Sequence, residues 1–365
     1  VIEVTTSFLP PLEEYTEWLS AIWNSNRITN NGPLVQQLER ELSATLDGLY
    51  VQLTTNGTTA LQLALQALQI TGEVITTPFS FVATTTSILW EACTPVFVDI
   101  DPDTLCIDAR LIEAAITPRT QAILATHVYG YPCDVETIAA VARRYNLKVL
   151  YDGAHAFGAR YNGRSLLSYG DLTACSFHAT KLFHMGEGGA VVTQYSELAE
   201  KIGLLKSFGY NQDEHHLAGI NGKASEIHAA LGLCLLPRVP AFIHARSHLY
   251  ALYREELAGL PLAYPHLPDS LAYNYAYFPV IFATHEMLVH TQQALARQDI
   301  ETRRYFFPSL NTLPYLPNYT PCPVSEAMSM RVLCLPFYQQ LQPEQVRLIT
   351  TCIRLALSEQ PTTAA

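Results

Sequence analysis

The sequence predicts an α/β protein: a mainly parallel sheet covered by helices on both faces, followed by a smaller α/β region. Three observations lead there. Through the first 240 residues, short apolar segments ending in polar residues alternate with helix-like stretches, the pattern of parallel strands joined by crossover helices. The character shifts after Pro237 and Pro240. With 365 residues, 49% of them hydrophobic, the chain is apolar enough for a large core, and two domains are expected, 1–240 and 241–365.

In chain order, segment 24–33 (Asn-Ser-Asn-Arg-Ile-Thr-Asn-Asn-Gly-Pro) is loop chemistry throughout. A short strand then leads into Asn56-Gly57-Thr58, and a helix at 59–68 sets Leu61, Leu65 and Leu68 on one face beside Ala64. Segments 74–77, 95–99, 122–127, 148–152, 172–177 and 189–193 read as buried strands, with helices at 111–115, 135–145 and 196–205 between them. Past the two prolines, 241–257 reads as a long helix, followed by a stretch containing Pro261, Pro265 and Pro268. A strand at 275–282, helices at 285–298 and 343–357, and a short polar tail after Glu359 complete the chain.

Composition narrows the function. Lys and Arg total 22 against 33 Asp and Glu, a net charge of −11, with no basic run to track a phosphate backbone; nucleic acid is not an expected partner. No stretch approaches the ~18 consecutive apolar residues of a membrane span. Val1–Leu9 has neither the basic nor the apolar part of a secretory signal. Eight scattered Cys, with no C-x-x-C pair, read as buried reduced thiols, and no H-E-x-x-H zinc pair is present. The expectation is a soluble, cytoplasmic enzyme without a metal site.

In an open parallel sheet, ligands gather beyond the carboxyl ends of the strands. The residues there are Thr54–Thr58, Pro78–Phe81, His127–Gly130, Asp152–His155 and Ser176–Lys181. At Asn56-Gly57-Thr58-Thr59-Ala60, glycine permits close backbone approach and the helix start offers unpaired N–H groups. The turn reads either as an ordinary N-cap or as a phosphate cup. It matches neither the triphosphate loop nor the dinucleotide fingerprint. Asp152 ends a strand; Lys181 follows one strand later, ahead of Met185-Gly186-Glu187-Gly188-Gly189. Burial of a lysine moves it towards its nucleophilic free amine. An amine, an acid to face a pyridinium nitrogen, a phosphate cup and an apolar face such as Phe81 are the components of a pyridoxal phosphate site.

Several blocks together carry a resemblance: Gly57-Thr58-Thr59-Ala60-Leu61, Pro78-Phe79-Ser80-Phe81-Val82-Ala83-Thr84, Pro95–Asp101, Asp152-Gly153-Ala154-His155-Ala156-Phe157-Gly158, Ser176-Phe177-His178-Ala179-Thr180-Lys181, Gly186-Glu187-Gly188-Gly189 and Asn221–Ala230. In order and spacing they resemble the DegT/DnrJ/EryC1/StrS sugar aminotransferases, over nearly the whole chain from Asn30 to Pro336. The resemblance implies the aspartate aminotransferase fold (fold type I), with a mainly parallel, mixed seven-stranded sheet. It also implies pyridoxal 5′-phosphate as cofactor, passing through pyridoxamine phosphate, and a homodimer with shared active sites.

Residue by residue, the resemblance makes Lys181 the Schiff-base lysine and Asp152 the acid paired with the pyridinium nitrogen. His155 matches a Gln/His position beside the cofactor, and Phe81 the aromatic stacked on its ring. Gly57, Thr58 and Ser176 match phosphate contacts, and Asn221 matches an asparagine offered by the other subunit. Lys223 stands where relatives often carry arginine, keeping the charge without the bidentate fork. Thr302–Phe306 matches a small-domain loop facing the nucleotide-sugar, which makes Arg303 and Tyr305 candidate diphosphate or sugar contacts. Asn31 lies in a loop like that of relatives acting on dTDP-linked 6-deoxy keto sugars. The implied reaction moves an amino group from L-glutamate to a nucleoside-diphosphate keto-6-deoxyhexose, most simply a dTDP sugar, at C3 or C4. Two alternatives share the fold: a pyridoxamine-dependent sugar dehydratase, with histidine in the lysine's position, and a non-catalytic regulator. Lys181 speaks against the dehydratase, with the neighbouring His178 and His184 left to be placed, and the intact Lys181/Asp152 pair speaks against the regulator.

Overall fold

Seven strands make the central sheet of the computed structural model, which describes residues 1–316 and 318–359; the polar tail after Glu359 lies outside the described residues. The strands are β1 (Tyr50–Thr54), β2 (Glu73–Thr76), β3 (Thr94–Phe97), β4 (Thr120–Thr126), β5 (Lys148–Asp152), β6 (Leu172–Ser176) and β7 (Gly189–Thr193). They lie in the order β1-β7-β6-β5-β4-β2-β3. Strands β2 to β6 are parallel, while β7 runs antiparallel to both its neighbours, β6 and β1. The sheet is therefore mixed but mainly parallel, as expected.

The strands read as continuous apolar runs because both faces are covered. Val74, Leu124, Leu150, Leu172 and Val191 point into one core with helix Gly57–Ala67. Their chain neighbours Ile75, Ile123, Val149 and Tyr151 point into the other, with Ile138 and Val141 of helix Val135–Tyr145. This is the two-residue alternation of a pleated strand with apolar residues at both phases. Side-chain caps start the helices at defined residues: Asn56 accepts from Thr59 N–H, Asp134 from Thr137 N–H, and Ser225 from His228 N–H.

A second, antiparallel sheet joins Leu262–Ala263, Pro279–Phe282 and Val332–Cys334. Its core, with Val280, Phe282, Leu288, Leu295, Ile349 and Ile353, is closed by helices Val239–Glu256, His285–Ala296 and Pro343–Ser358. The first residues of the chain pack here: Ile2 bridges to Ile300, and Val4 O accepts from Phe337 N–H at 3.1 Å. Among the described residues one helical run, 226–256, is long and apolar enough to cross a membrane, yet half of its apolar window is buried in the protein. Ala229, Leu233, Leu236 and Phe242 of that run belong to the main core. All eight Cys are free, and seven are buried.

The structure corrects some boundaries. Asn24 and Ser25 close helix Leu12–Ser25, and Pro33 opens helix Pro33–Thr45, so only 26–32 is loop. Proline is suited to the first helical position, where its missing N–H would have no partner. The helix expected at 111–115 is one turn, Ala109–Ile112, followed by a 3₁₀ turn. The strand expected at 275–282 is only Pro279–Phe282, because the carbonyls of Tyr275 and Ala276 are taken by Arg246 and never join a ladder.

One buried carboxylate fixes the path of the 26–32 loop. Glu226, 1% exposed, accepts from the N–H groups of Leu34 (2.9 Å) and Val35 (2.8 Å), at the positive end of helix Pro33–Thr45. Its own N–H donates to Ile28 O at 3.0 Å. A Cβ on Gly32 would lie 2.6 Å from the Glu226 carboxyl carbon. Gly32→Ala should therefore destabilise the protein by about 1–3 kcal/mol, the usual range for overpacking a tight site. Urea unfolding checks this, and an unchanged midpoint would show that the carboxylate does not lock the loop.

Candidate active site

The carboxyl ends of β4, β5 and β6 open into a cavity of about 360 Å³, within the range of small-molecule sites. Nine of the twelve residues singled out from the sequence line it: Gly57, Thr58, Phe81, Asp152, His155, Ser176, Lys181, Arg303 and Tyr305. Asn31, Asn221 and Lys223 do not line the cavity of their own chain. Asn221 is exposed and bridges to Ser207; Lys223 bridges to Thr54 and lays its amine 4.8 Å from the Phe208 ring centre.

The cup at one end is a product of close packing. Asn56 caps the helix through Thr59 N–H (2.8 Å), leaving the first helical N–H groups, at Gly57 and Thr58, to face the cavity. A Cβ on Gly57 would meet the Ser176 Cβ at 2.9 Å, and one on Gly189 would lie 2.5 Å from the Asn56 backbone. Glycine at both positions lets β1, β6 and β7 bring the helix start and the Ser176 side chain together.

Asp152, 5% exposed, forms the floor. Its Oδ2 accepts from the Thr84 hydroxyl at 2.7 Å, and Oδ1 from Ala154 N–H at 3.1 Å. Thr84 continues into a chain of hydroxyls, 2.6 Å to Ser80 and 3.0 Å from there to Thr126. Burial pushes the Asp152 carboxyl above its ordinary range; the two hydrogen bonds and the charge of Lys181 pull the other way. Burial likewise holds the Lys181 amine below its ordinary range, with Tyr305 and Asp152 opposing and Arg303 adding to the effect. His155 is buried and neutral, its pKa depressed first by burial and then by Lys181. Its Nδ1 accepts from Tyr129 N–H at 3.1 Å, so Nε2 carries the ring proton. Tyr129 makes that bond from a left-handed backbone conformation (φ 56°), which is rare for a bulky residue and common at functional sites.

These groups fit pyridoxal phosphate. A buried carboxylate with no cationic side chain bonded to it suits a protonated ring nitrogen. Gly57, Thr58 and Ser176 suit a phosphate, and Lys181 suits the aldehyde. Phe81, half exposed at the rim, and His155 offer faces for a ring.

Other polar residues sort clearly. His178 lines the cavity with Nε2 3.7 Å from Glu187, a cavity residue that the sequence reading left without a role. His184 is buried away from the cavity, its Nε2 3.0 Å from Phe8 O. His127 follows a strand but stays in the core, stacked on Tyr151 at 4.4 Å and pushed down to about 3 by burial. His244 and His248 stand four residues apart on one helix, an H-x-x-x-H spacing that the sequence reading wrongly counts as absent. Among the described residues no group of three His, Cys, Asp or Glu converges on a metal. Thr84 and Tyr277 were not among the candidates, and Ser80 entered only within the strand-end segment Pro78–Phe81. Thr84 does lie in a block that carries the family resemblance, and Tyr277 had no signal beyond a tyrosine-rich stretch.

Fold and site together define a pyridoxal phosphate-dependent aminotransferase of fold type I. The sequence model of the DegT/DnrJ/EryC1/StrS aminotransferase family matches residues 12–354, and the chain belongs to that family. It is 44% identical over 362 residues to a dTDP-4-amino-4,6-dideoxy-D-glucose transaminase of Shigella dysenteriae, covering 97% of this chain and 98% of the relative. A crystal structure of DesI with its TDP-sugar product superposes with a TM-score of 0.93 at 34% identity, covering 98% of this chain and 93% of DesI. The pyridoxal phosphate form of a putative sugar aminotransferase, Spr1654 of Streptococcus pneumoniae, gives 0.89 at 25% identity, over 97% and 99% of the two chains. The protein is a nucleotide-sugar aminotransferase that uses pyridoxal phosphate.

The raised pKa of Asp152 has a measurable consequence. A carboxyl raised on folding contributes stability below its unfolded pKa and loses it as pH climbs through the folded value. At neutral pH the cofactor-free protein thus carries a penalty. Asp152→Asn should raise the melting temperature of the cofactor-free protein at pH 8, by roughly 1–2 °C per kcal/mol recovered, with a smaller gain near pH 4. A lower melting temperature at pH 8 would contradict a buried, unpaired carboxylate.

Proposed function

We propose that the protein transfers the amino group of L-glutamate to C4 of a dTDP-linked 4-keto-6-deoxyhexose. The observation that carries this reading is the convergence of Lys181, Asp152 and the Gly57–Thr58 helix start on one cavity. The position and nucleotide follow the name of the 44%-identical relative.

Bound pyridoxal phosphate supplies an aldehyde that condenses with amines and a ring that delocalises the electron pair left when a carbon acid loses its proton. The chain's residues do the rest. Gly57, Thr58 and Ser176 bind the phosphate, and Asp152 keeps a proton on the ring nitrogen. Phe81 and His155 orient the ring, His155 through its Nε2–H. Lys181 would be the base that takes a proton from the donor's Cα and the acid that gives one back, with the order reversed for the sugar. One amine suffices because each half-reaction frees it. Arg303 and Tyr305 bind the diphosphate or the sugar. We also infer a division into domains 1–240 and 241–365, the second bringing Arg303 and Tyr305 to the cavity of the first, and a cytoplasmic location.

The remaining contacts come from a second copy in a homodimer. Exposed Phe208, Ile220 and Asn221, outside their own chain's cavity, support this arrangement. Asn221 of the partner subunit completes the phosphate site, while Lys223 of the partner subunit and Asn31 serve the nucleotide-sugar.

A panel of dTDP-, UDP- and GDP-linked keto sugars with glutamate tests the substrate. The expected product is aminated at C4 of the dTDP sugar by NMR, and Lys181→Ala should lower its turnover by roughly 10²–10⁴-fold or more. Amination at C3, or an active Lys181→Ala variant, would refute the assignment. Shared sites are tested by mixing subunits. Lys181→Ala and the double variant Asn221→Ala/Lys223→Ala are each expected to be weakly active or inactive. Randomly reassorted dimers should recover about a quarter of wild-type activity, since each mixed dimer holds one intact site. No recovery would place all these residues in one subunit's site.

A further inference from the structure

We propose that Tyr277 is the positioning residue for Lys181: its phenolic oxygen receives the Nζ–H of the free amine and holds it against the cavity wall. Among the described residues the one side-chain hydrogen bond of Nζ is to Tyr277 Oη, at 3.3 Å, with the amine 5.9 Å from the ring centre. Tyr277 is unusually well fixed for a residue in an irregular segment. The carbonyls of Tyr275 and Ala276 accept from the buried Arg246 guanidinium at 3.3 and 3.1 Å, and that of Tyr277 itself from the Tyr273 hydroxyl at 3.2 Å. Asn274 ties the same segment to the main domain, donating to His155 O and Phe157 O at 2.8 Å each. Three consecutive carbonyls are thus held by side chains. The ring is wedged 4.6 Å from His155 and 5.4 Å from Tyr305, centre to centre. Such an over-determined backbone is how a fold holds a side chain to a set geometry.

The chemistry gives this contact a purpose. Lys181 is bonded to the cofactor for part of the cycle and free for the rest, and the free amine must wait in a dry site with its hydrogens satisfied. Tyr277 provides an acceptor at the place the amine must leave from and return to. Burial keeps the phenol protonated, so it orients the amine and does not exchange a proton with it. An acceptor favours the ammonium form of Lys181, partly offsetting the opposite effect of burial.

The inference rests on Lys181 being the cofactor lysine, and the two can fail separately. In cofactor-free protein, Lys181 is labelled with trinitrobenzenesulfonate across pH and quantified by peptide mass. Tyr277→Phe should move the labelling midpoint down by about one pH unit. In the loaded enzyme it should lower kcat by roughly 10–100-fold with both KM values little changed, as loss of orientation does. Tyr277→His, which keeps an acceptor, should restore part of both effects and serves if the phenylalanine variant misfolds. An unmoved midpoint with unchanged kcat, while borohydride still fixes cofactor mass on Lys181, overturns the role of Tyr277 alone. Cofactor mass on another lysine overturns the reading beneath it.

Discussion

A carboxylate with no cationic side chain bonded to it, buried where three strands end, is the constraint around which the rest of the structure is arranged. Asp152 cannot be moved one residue either way. Register pairs it with Thr126 on β4 and Ala174 on β6, and a one-residue slip would turn its side chain to the opposite face of the sheet. Its oxygens are satisfied by one hydroxyl and one backbone N–H, and that hydroxyl heads a chain through Ser80 to Thr126, back on the neighbouring strand. Helix Val82–Trp90 must therefore pack with Thr84 turned inward, which is why it buries Thr84, Thr85 and Ser87 instead of a leucine stripe. A charge left this exposed to low dielectric is held at a loss of stability. The proposed pairing with the protonated ring nitrogen would give it the cation it lacks.

The amine at the other side is governed by the later part of the chain. Arg303, Tyr305 and Tyr277 come from segments around the second sheet, whereas Lys181 follows β6. Between the two stands a layer of tyrosines. Tyr129 bonds to Tyr305 O, Tyr273 donates to Tyr129 O at 3.0 Å, and the Tyr129 and Tyr277 rings meet at 5.7 Å. Each phenol places a polar tip within an apolar body, so the layer can be packed and hydrogen-bonded at once. The same Tyr129 fixes the tautomer of His155 through its backbone, so the proposed ring contact and the lysine contact depend on one set of packed aromatics.

How much of this was legible follows from residue chemistry. Asp152 and Lys181 could be read because an acid and an amine at strand ends are conspicuous among buried neighbours. The parallel strands could be read because both phases of each are apolar. His127 shows the limit: it sits at a strand end like Asp152, yet its ring turns into the core against Tyr151. As site residues, Ser80 was legible only as part of a strand-end segment and Thr84 not at all, because a hydroxyl inside a helix or turn carries no sign of its tertiary partner. Tyr277 was hidden more deeply. Its segment was expected to be a strand, and what makes it irregular is Arg246, roughly thirty residues away on another helix. Asn221 and Lys223 were legible only through family resemblance, since neither lines the cavity of its own chain.

The net charge of −11 at first argues against any anionic ligand, and the cavity shows why that inference reaches only the outer surface. A phosphate held in the proposed cup needs no basic field. It needs first-turn N–H groups at Gly57 and Thr58, a hydroxyl at Ser176, and glycines that let them converge. The candidate cations are few and each has a place: Lys181 against Tyr277, Arg303 over the Tyr305 ring at 5.0 Å, and Lys223, outside its own chain's cavity, against Phe208. Aromatic faces rather than carboxylates hold the last two, so their charge is not neutralised before a ligand arrives. An acidic protein can thus take a phosphorylated cofactor and a diphosphate sugar. Of its acidic groups among the described residues only Asp152 and Glu187 line the cavity, and the acid at the cavity floor is the one proposed to face the positively charged end of the cofactor.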